Sequence, residues 1–143
     1  MSKNHQFRVA CIQMTTGTKI SENLSILETR FQEAKEKGAD FIVTPEQSLL
    51  MAENKASLFE NISYEDEDFG LRELRGIVKK VGLFVIVGSI SIKYNEDLAL
   101  NRTYAFNPDG DIIGVYDKIH MFDVTLSDCL LYTSPSPRDS IRS

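Results

Sequence analysis

A chain of 143 residues, 42% apolar and 26% charged, with a net charge of −5, is one domain long and globular in composition. No basic run interleaves with aromatics, which excludes an electrostatic footprint for nucleic acid. The N-terminus MSKNHQFRVACIQM lacks the apolar core of a signal peptide and no apolar stretch approaches membrane-spanning length, so a cytoplasmic protein with no membrane partner is expected.

Residues 7–14, FRVACIQM, read as a first strand. A helix follows over 22–37, with Ser21 as its expected cap and an apolar stripe of Leu24, Leu27, Phe31 and Ala34. Gly38 stands where a helix C-cap belongs. Residues 40–44, DFIVT, form a second strand stopped by Pro45. The segment 46–66 has weak patterning and reads as irregular, with room for a short helix around 47–52. Glu65, Asp66, Glu67 and Asp68 precede a second striped helix built on Leu71, Leu74, Val78 and Val81, and four acids at that end suit its positive pole. LFVIVGSI, 83–90, is a third strand, and strands around 102–106 and 111–116 flank the turn sequence NPDG.

The order β-α-β-α-β-β-β implies an α/β fold, a sheet with helices on at least one face. Chemistry in such sheets gathers beyond the C-terminal ends of strands. Two residues stand at such ends. Glu46 follows a proline of fixed φ directly off the second strand. Lys118 follows the last strand, among the apolar residues Ile119, Met121 and Phe122. Over strand ends, a carboxylate and an ammonium can run acyl transfer, one taking a proton from a nucleophile and the other stabilising the oxyanion. Either residue can equally be a solvated surface group.

The chain holds two cysteines, Cys11 and Cys129, and two histidines, His5 and His120. These make neither a disulfide framework nor a metal centre, and no metal or cofactor is expected. Cys11 falls in the first strand, where a buried, inert thiol is expected. A Ser-His-Asp triad could use only His120, and no G-x-S-x-G elbow accompanies it. Gly17 is isolated, so no glycine-rich phosphate loop is present.

FRVACIQM, the IVTPE that ends in Glu46, VIVGSI, NRTYAFNPDG and YDKIHMFDV together resemble the nitrilase (carbon–nitrogen hydrolase) superfamily, in its order and at about its spacing, over residues 7–124. The form of YDKIHMFDV looks most like the Nit-type branch that contains ω-amidase and deaminated-glutathione amidase. The resemblance implies part of a four-layer α-β-β-α sandwich. It also implies a Glu-Lys-Cys catalytic set, with Glu46 as general base and Lys118 as oxyanion-stabilising lysine. The expected reaction cleaves a small carboxamide-bearing acid to carboxylate and ammonia through a cysteine thioester, with no cofactor, in a protein that forms homo-oligomers. N-carbamoyl amide or nitrile hydrolysis, or a non-enzymatic α/β ligand-binding module, are the competing readings.

The family's nucleophilic cysteine lies on a strand-to-helix elbow a few dozen residues beyond the lysine, with an assisting glutamate between them. Neither is found here: Cys129 follows Lys118 too closely and leads into LLYTSPSPRDS. Residues 129–139, CLLYTSPSPRD, resemble residue for residue one reading frame of a sequencing-library transposase adapter. The expectation is a hydrolase segment over 1–128, inactive by itself, and a non-native tail over 129–143.

Overall fold

The computed structural model describes residues 6–119. The elements run β1 (Val9–Cys11), α1 (Ile20–Glu36), β2 (Phe41–Val43), α2 (Lys55–Asn61), α3 (Phe69–Val81), β3 (Phe84–Lys93), β4 (Ala99–Phe106) and β5 (Ile112–Asp117). The strands form one sheet in the order β1-β2-β3-β4-β5, parallel from β1 to β3 and antiparallel from β3 to β5. Each strand therefore neighbours the next in sequence, the helices serving as parallel crossovers and tight turns joining the antiparallel half. Among the described residues, no helix is long and apolar enough to cross a membrane.

Both helical stripes are buried as their spacing requires. Leu24, Leu27, Phe31 and Ala34 of α1 join Leu71, Leu74, Val78 and Val81 of α3 in one core with Ile42, Val85, Val87, Tyr104 and Phe106 of the sheet. The helices thus cover one face. Gly38, at φ 74, ends α1 in the left-handed region. Its N–H reaches Lys35 O at 2.9 Å while the Ala39 N–H reaches Ala34 O at 3.0 Å, the paired bonds of a Schellman stop.

The helix starts differ from expectation. Ser21 does not cap α1: the helix begins at Ile20, Lys19 holds the cap position without a side-chain bond, and Ser21 stands in the first turn. The entry is fixed instead by Asn23, 1% exposed. Its amide accepts from Gly17 N (2.9 Å) and donates to Gly17 O (2.9 Å) and Leu49 O (2.8 Å). No helix forms at 47–52. The short helix is α2, capped by Asn54, whose side chain accepts from Ser57 N at 2.9 Å. Leu50, Leu58, Ile62 and Ala99 form a second small apolar cluster that seats this segment on the sheet. Of the four acids before α3, Asp68 caps it, accepting from Leu71 N at 2.8 Å. Glu65 turns away to β4, where it accepts from the Tyr104 hydroxyl (2.5 Å) and Arg102 (3.0 Å).

The other sheet face has no helix over it among the described residues. Side chains alternate along a strand, so Val9, Phe41, Phe84 and Tyr116 project there. Val9 is 44%, Phe84 45% and Tyr116 57% exposed, and Phe7, stacked obliquely on Phe41 at 6.2 Å, is 69% exposed. This is the face that a four-layer sandwich buries under its second sheet. An apolar surface of this kind, bordered by β1 and β5, which are the edge strands among the described residues, drives association. Expressed by itself, the 143-residue chain is expected to self-associate and to bind a hydrophobic dye strongly. A dye-silent monomer with one sharp melting transition would refute this.

Cys11 is exposed rather than buried. Strand β1 lies at the sheet edge, and Cys11 alternates with Ala10, the residue that packs on the helical core. A three-residue strand places its outer positions on the uncovered face, whatever their polarity.

Candidate active site

Glu46 owes its position to a turn tied to β3 at five points. The Thr44 N–H bonds Ile86 O at 2.9 Å, continuing the β2–β3 pairing, and Thr44 Oγ1 accepts from Gly88 N at 3.2 Å. Past the proline, Gln47 takes a left-handed φ of 54, a strained region for a residue with a side chain. Its N–H bonds Ser89 Oγ at 2.9 Å and its Oε1 accepts from Ser91 Oγ at 3.0 Å. Ser48 N then bonds Ser89 O at 2.9 Å, and Ser48 Oγ donates to Pro45 O at 2.5 Å.

A bulge makes this clamp possible. Val87 pairs with Tyr104 and Ile90 with Arg102, so β3 carries one residue more than β4 between those pairs. The extra residue reverses the phase of β3: Val85 and Val87 before it and Ile90 and Ile92 after it all reach the helical core, while Ser89 and Ser91 are aimed at Gln47. Gly88 sits in the bulge. A Cβ there would collide with the Thr44 carbonyl oxygen and lie 2.6 Å from the Pro45 carbonyl carbon. Gly88→Ala is therefore expected to push the Glu46 turn off β3, destabilising the fold by about 1–3 kcal/mol. Chemical denaturation measures it, and an unchanged midpoint would refute the close approach.

Lys118 arrives from the far edge of the sheet. Its N–H bonds Asn101 O at 2.9 Å, one step past the last β4–β5 pair, Arg102 with Asp117. That pair is a two-pronged ion pair, Nε to Oδ1 at 2.6 Å and Nη2 to Oδ2 at 2.8 Å, which pins the end of β5. Asp117 raises the Arg102 guanidinium pKa further, and burial, aided by Glu65, pushes the Tyr104 phenol up. Both groups therefore keep their protons at any working pH and act as fixed anchors. They project to the helix side of β4, opposite Asn101.

The two residues singled out in the sequence meet here. Lys118 Nζ donates to Glu46 Oε1 at 2.7 Å, and Asn101 Nδ2 donates to the same oxygen at 3.0 Å. The hydrogen bond from Lys118 holds the Glu46 carboxyl below its usual range, with Asn101 helping and burial opposing. The carboxylate is therefore ionised at neutral pH. The pair's stabilising effect is present above the ordinary carboxylate range and is lost as pH falls through the lowered value. With side chains 36% (Lys118) and 55% (Glu46) exposed, the ion pair adds little to stability.

Asn101, Ser89, Ser91, Gln47 and Gly88 were missed in the sequence. The available signal was the polar alternation Ser89-Ile90-Ser91 after a glycine inside an apolar strand, a bulge signature. No hydrogen bond joins the Cys11 thiol to Glu46 or Lys118 among the described residues. Nor, among those residues, are three or more His, Cys, Asp or Glu side chains grouped to hold a metal ion. Ile119 is half-buried beside Lys118. His5, His120, Met121, Phe122, Cys129 and the tail 129–143 lie outside the described residues.

The sequence model of the carbon–nitrogen hydrolase family matches residues 8–140. A deaminated glutathione amidase of Yersinia enterocolitica is 31% identical over 122 residues, 84% of this chain and 42% of that protein. A 2-oxoglutaramate amidase of Bacillus subtilis is 30% identical over 135 residues, covering 94% and 50%. Among solved structures, the amidase of Nesterenkonia sp. AN1 superposes with a TM-score of 0.74 at 18% identity, over 91% of this chain and 51% of that one. The NitFhit protein of C. elegans superposes at 0.72 with 21% identity, over 87% and 31%. The chain spans about half the length, or less, of the relatives it matches.

Proposed function

The chain belongs to the carbon–nitrogen hydrolase family, and from that premise we propose that the whole protein is a Nit-type amidase in which Glu46 is the general base and Lys118 stabilises the oxyanion. The observation that carries the reading is the 2.7 Å contact between the Lys118 ammonium and an ionised Glu46, held by a strained turn on one side and a pinned strand end on the other. An exposed ion pair of this kind contributes little to folding, yet two separate devices, the strained turn and the pinned strand end, fix its position.

In the proposed reaction Glu46 takes the proton of a cysteine thiol, which the family places beyond the lysine. The sulfur electron pair forms a bond to the carboxamide carbon, and the carbonyl π pair moves onto oxygen. Lys118 has three N–H donors, so it can hold Glu46 and still meet that oxyanion. Collapse breaks the C–N bond, and the leaving nitrogen takes the proton from the Glu46 carboxyl and departs as ammonia. Water then gives a proton to Glu46 and attacks the thioester, releasing the carboxylate and the thiol. No metal or organic cofactor enters these steps.

The substrate class is a small acid with a terminal amide, in line with the names of the relatives, deaminated glutathione amidase and 2-oxoglutaramate amidase. Ammonia release by the whole hydrolase from a panel of ω-amido acids, N-carbamoyl amino acids and nitriles tests it. The highest kcat/KM is expected on an ω-amido acid. A clear preference for a carbamoyl compound or a nitrile overturns the amidase assignment.

A further inference from the structure

We propose that Asn101 is a positioning residue that sets which oxygen of the Glu46 carboxylate meets the reacting thiol, by holding both members of the Glu46–Lys118 pair at once. The inference rests on the amidase reading and deepens it. Asn101 is 8% exposed at the β4 end of the site, paired across the sheet with Ser91. Its side-chain amide donates to Glu46 Oε1 at 3.0 Å, and its backbone carbonyl accepts from Lys118 N at 2.9 Å. One residue thus spans the two strand systems that deliver base and lysine, β2 with its turn on one side and β5 on the other.

The consequence is an asymmetric carboxylate. Among the described residues both donors end on Oε1, Lys118 at 2.7 Å and Asn101 at 3.0 Å, and none ends on Oε2. Two N–H groups on one oxygen fix the rotation of the carboxylate plane, which a single flexible lysine cannot do. The basic electron pair offered to the thiol is then that of Oε2, at a constant orientation, and orientation alone is worth orders of magnitude in such transfers. Asparagine suits the place because it donates without charge. An aspartate would repel Glu46, and a serine hydroxyl would fall short of it.

Among the described residues, Lys118 is the only charged group bonded to Glu46. The side chains presented by β3, Ser89 and Ser91, are uncharged and engaged with Gln47. Arg102, Asp117 and Glu65 pair with one another on the opposite face. Removing the Asn101 donor therefore takes away one of two hydrogen bonds that favour the ionised carboxylate.

The test is kcat and KM against pH for the whole hydrolase on its best amide, comparing wild type, Asn101→Ser, Asn101→Leu and Glu46→Gln. Both Asn101 variants are expected to lose about 10- to 100-fold in kcat with KM little changed. Their acid limb is expected to move to higher pH, a readout that a purely structural role leaves in place. Should the leucine variant fail to fold, the serine variant, smaller and still polar, decides. A folded Asn101→Ser enzyme with wild-type kcat and an unmoved acid limb overturns the proposal while an inactive Glu46→Gln leaves the amidase reading standing. Full activity in Glu46→Gln overturns both.

Discussion

Replacing Glu46 by glutamine in the whole hydrolase is expected to lower kcat/KM on the best amide by about 100- to 10,000-fold, the usual worth of a positioned general base. The exchange is nearly isosteric. The glutamine carbonyl oxygen can still accept from Lys118 and Asn101, as Glu46 Oε1 does at 2.7 and 3.0 Å, so the turn and the pinned strand end have no reason to move. What is lost, if Glu46 is the base as proposed, is the ability to take the thiol proton and to return it to the departing nitrogen. Because the pair is half exposed, stability should change little, and the melting temperature serves as the control for folding. Lys35→Ala, on the exposed side of α1, should leave kcat/KM at the wild-type value. A folded Glu46→Gln enzyme with undiminished kcat/KM would show that this glutamate is not the base. In the wild type, the lowered Glu46 pKa has a signed consequence. Activity that depends on the ionised carboxylate persists to lower pH than an ordinary glutamate would allow, then falls as protonation begins.

The parts of this fold that could be read from the sequence are those with a local cause. The stripes at Leu24, Leu27, Phe31 and Ala34 and at Leu71, Leu74, Val78 and Val81 repeat with the helical period, and all eight are buried. The NPDG turn is equally local: Asn107 Oδ1 accepts from Asp109 N at 3.0 Å and Asp111 N at 2.9 Å, an arrangement written within five residues. Glu46 and Lys118 were found because each follows a strand directly, and in a sheet with its strand ends aligned two such residues can meet.

What escaped has a cause far along the chain. Asn101 reaches Glu46 across a separation of 55 residues, and that contact depends on the β3–β4 register, which an internal bulge shifts. Periodicity cannot reveal which strand acquires an extra residue. The exposure of Cys11 is the same kind of fact. An apolar strand at a sheet edge and one in the sheet centre look alike in sequence, and only the structure shows that FRVACIQM runs along the rim with Cys11 on the face that has no helix over it among the described residues. Ser21 and Asn23 show a competition between local and distant causes. Serine is the better cap by local preference, but Asn23 bonds Leu49 from 26 residues away and fixes the helix start on tertiary grounds.

Lys118→Ala is expected to cost the whole hydrolase about 100- to 1,000-fold in kcat, the range seen when one donor to a developing oxyanion is removed. Two effects combine in that loss, and pH separates them. Lys118 supplies the largest influence that lowers the Glu46 pKa, so its removal leaves Asn101 alone to favour the ionised carboxylate, and the acid limb should move to higher pH than in the Asn101 variants. Well above that limb Glu46 is ionised in wild type and variant alike. The loss that persists there belongs to the missing positive charge at the tetrahedral oxygen. Lys118→Arg keeps the charge but replaces a compact ammonium by a wide planar fork, which does not fit where one nitrogen must sit 2.7 Å from Oε1 and also face the substrate. Restored acid-limb position with kcat still depressed is the expected signature of the arginine variant. If Lys118→Ala is folded and its kcat equals that of wild type across the pH range, the lysine has no part in the chemistry, and the 2.7 Å contact is a surface ion pair and nothing more.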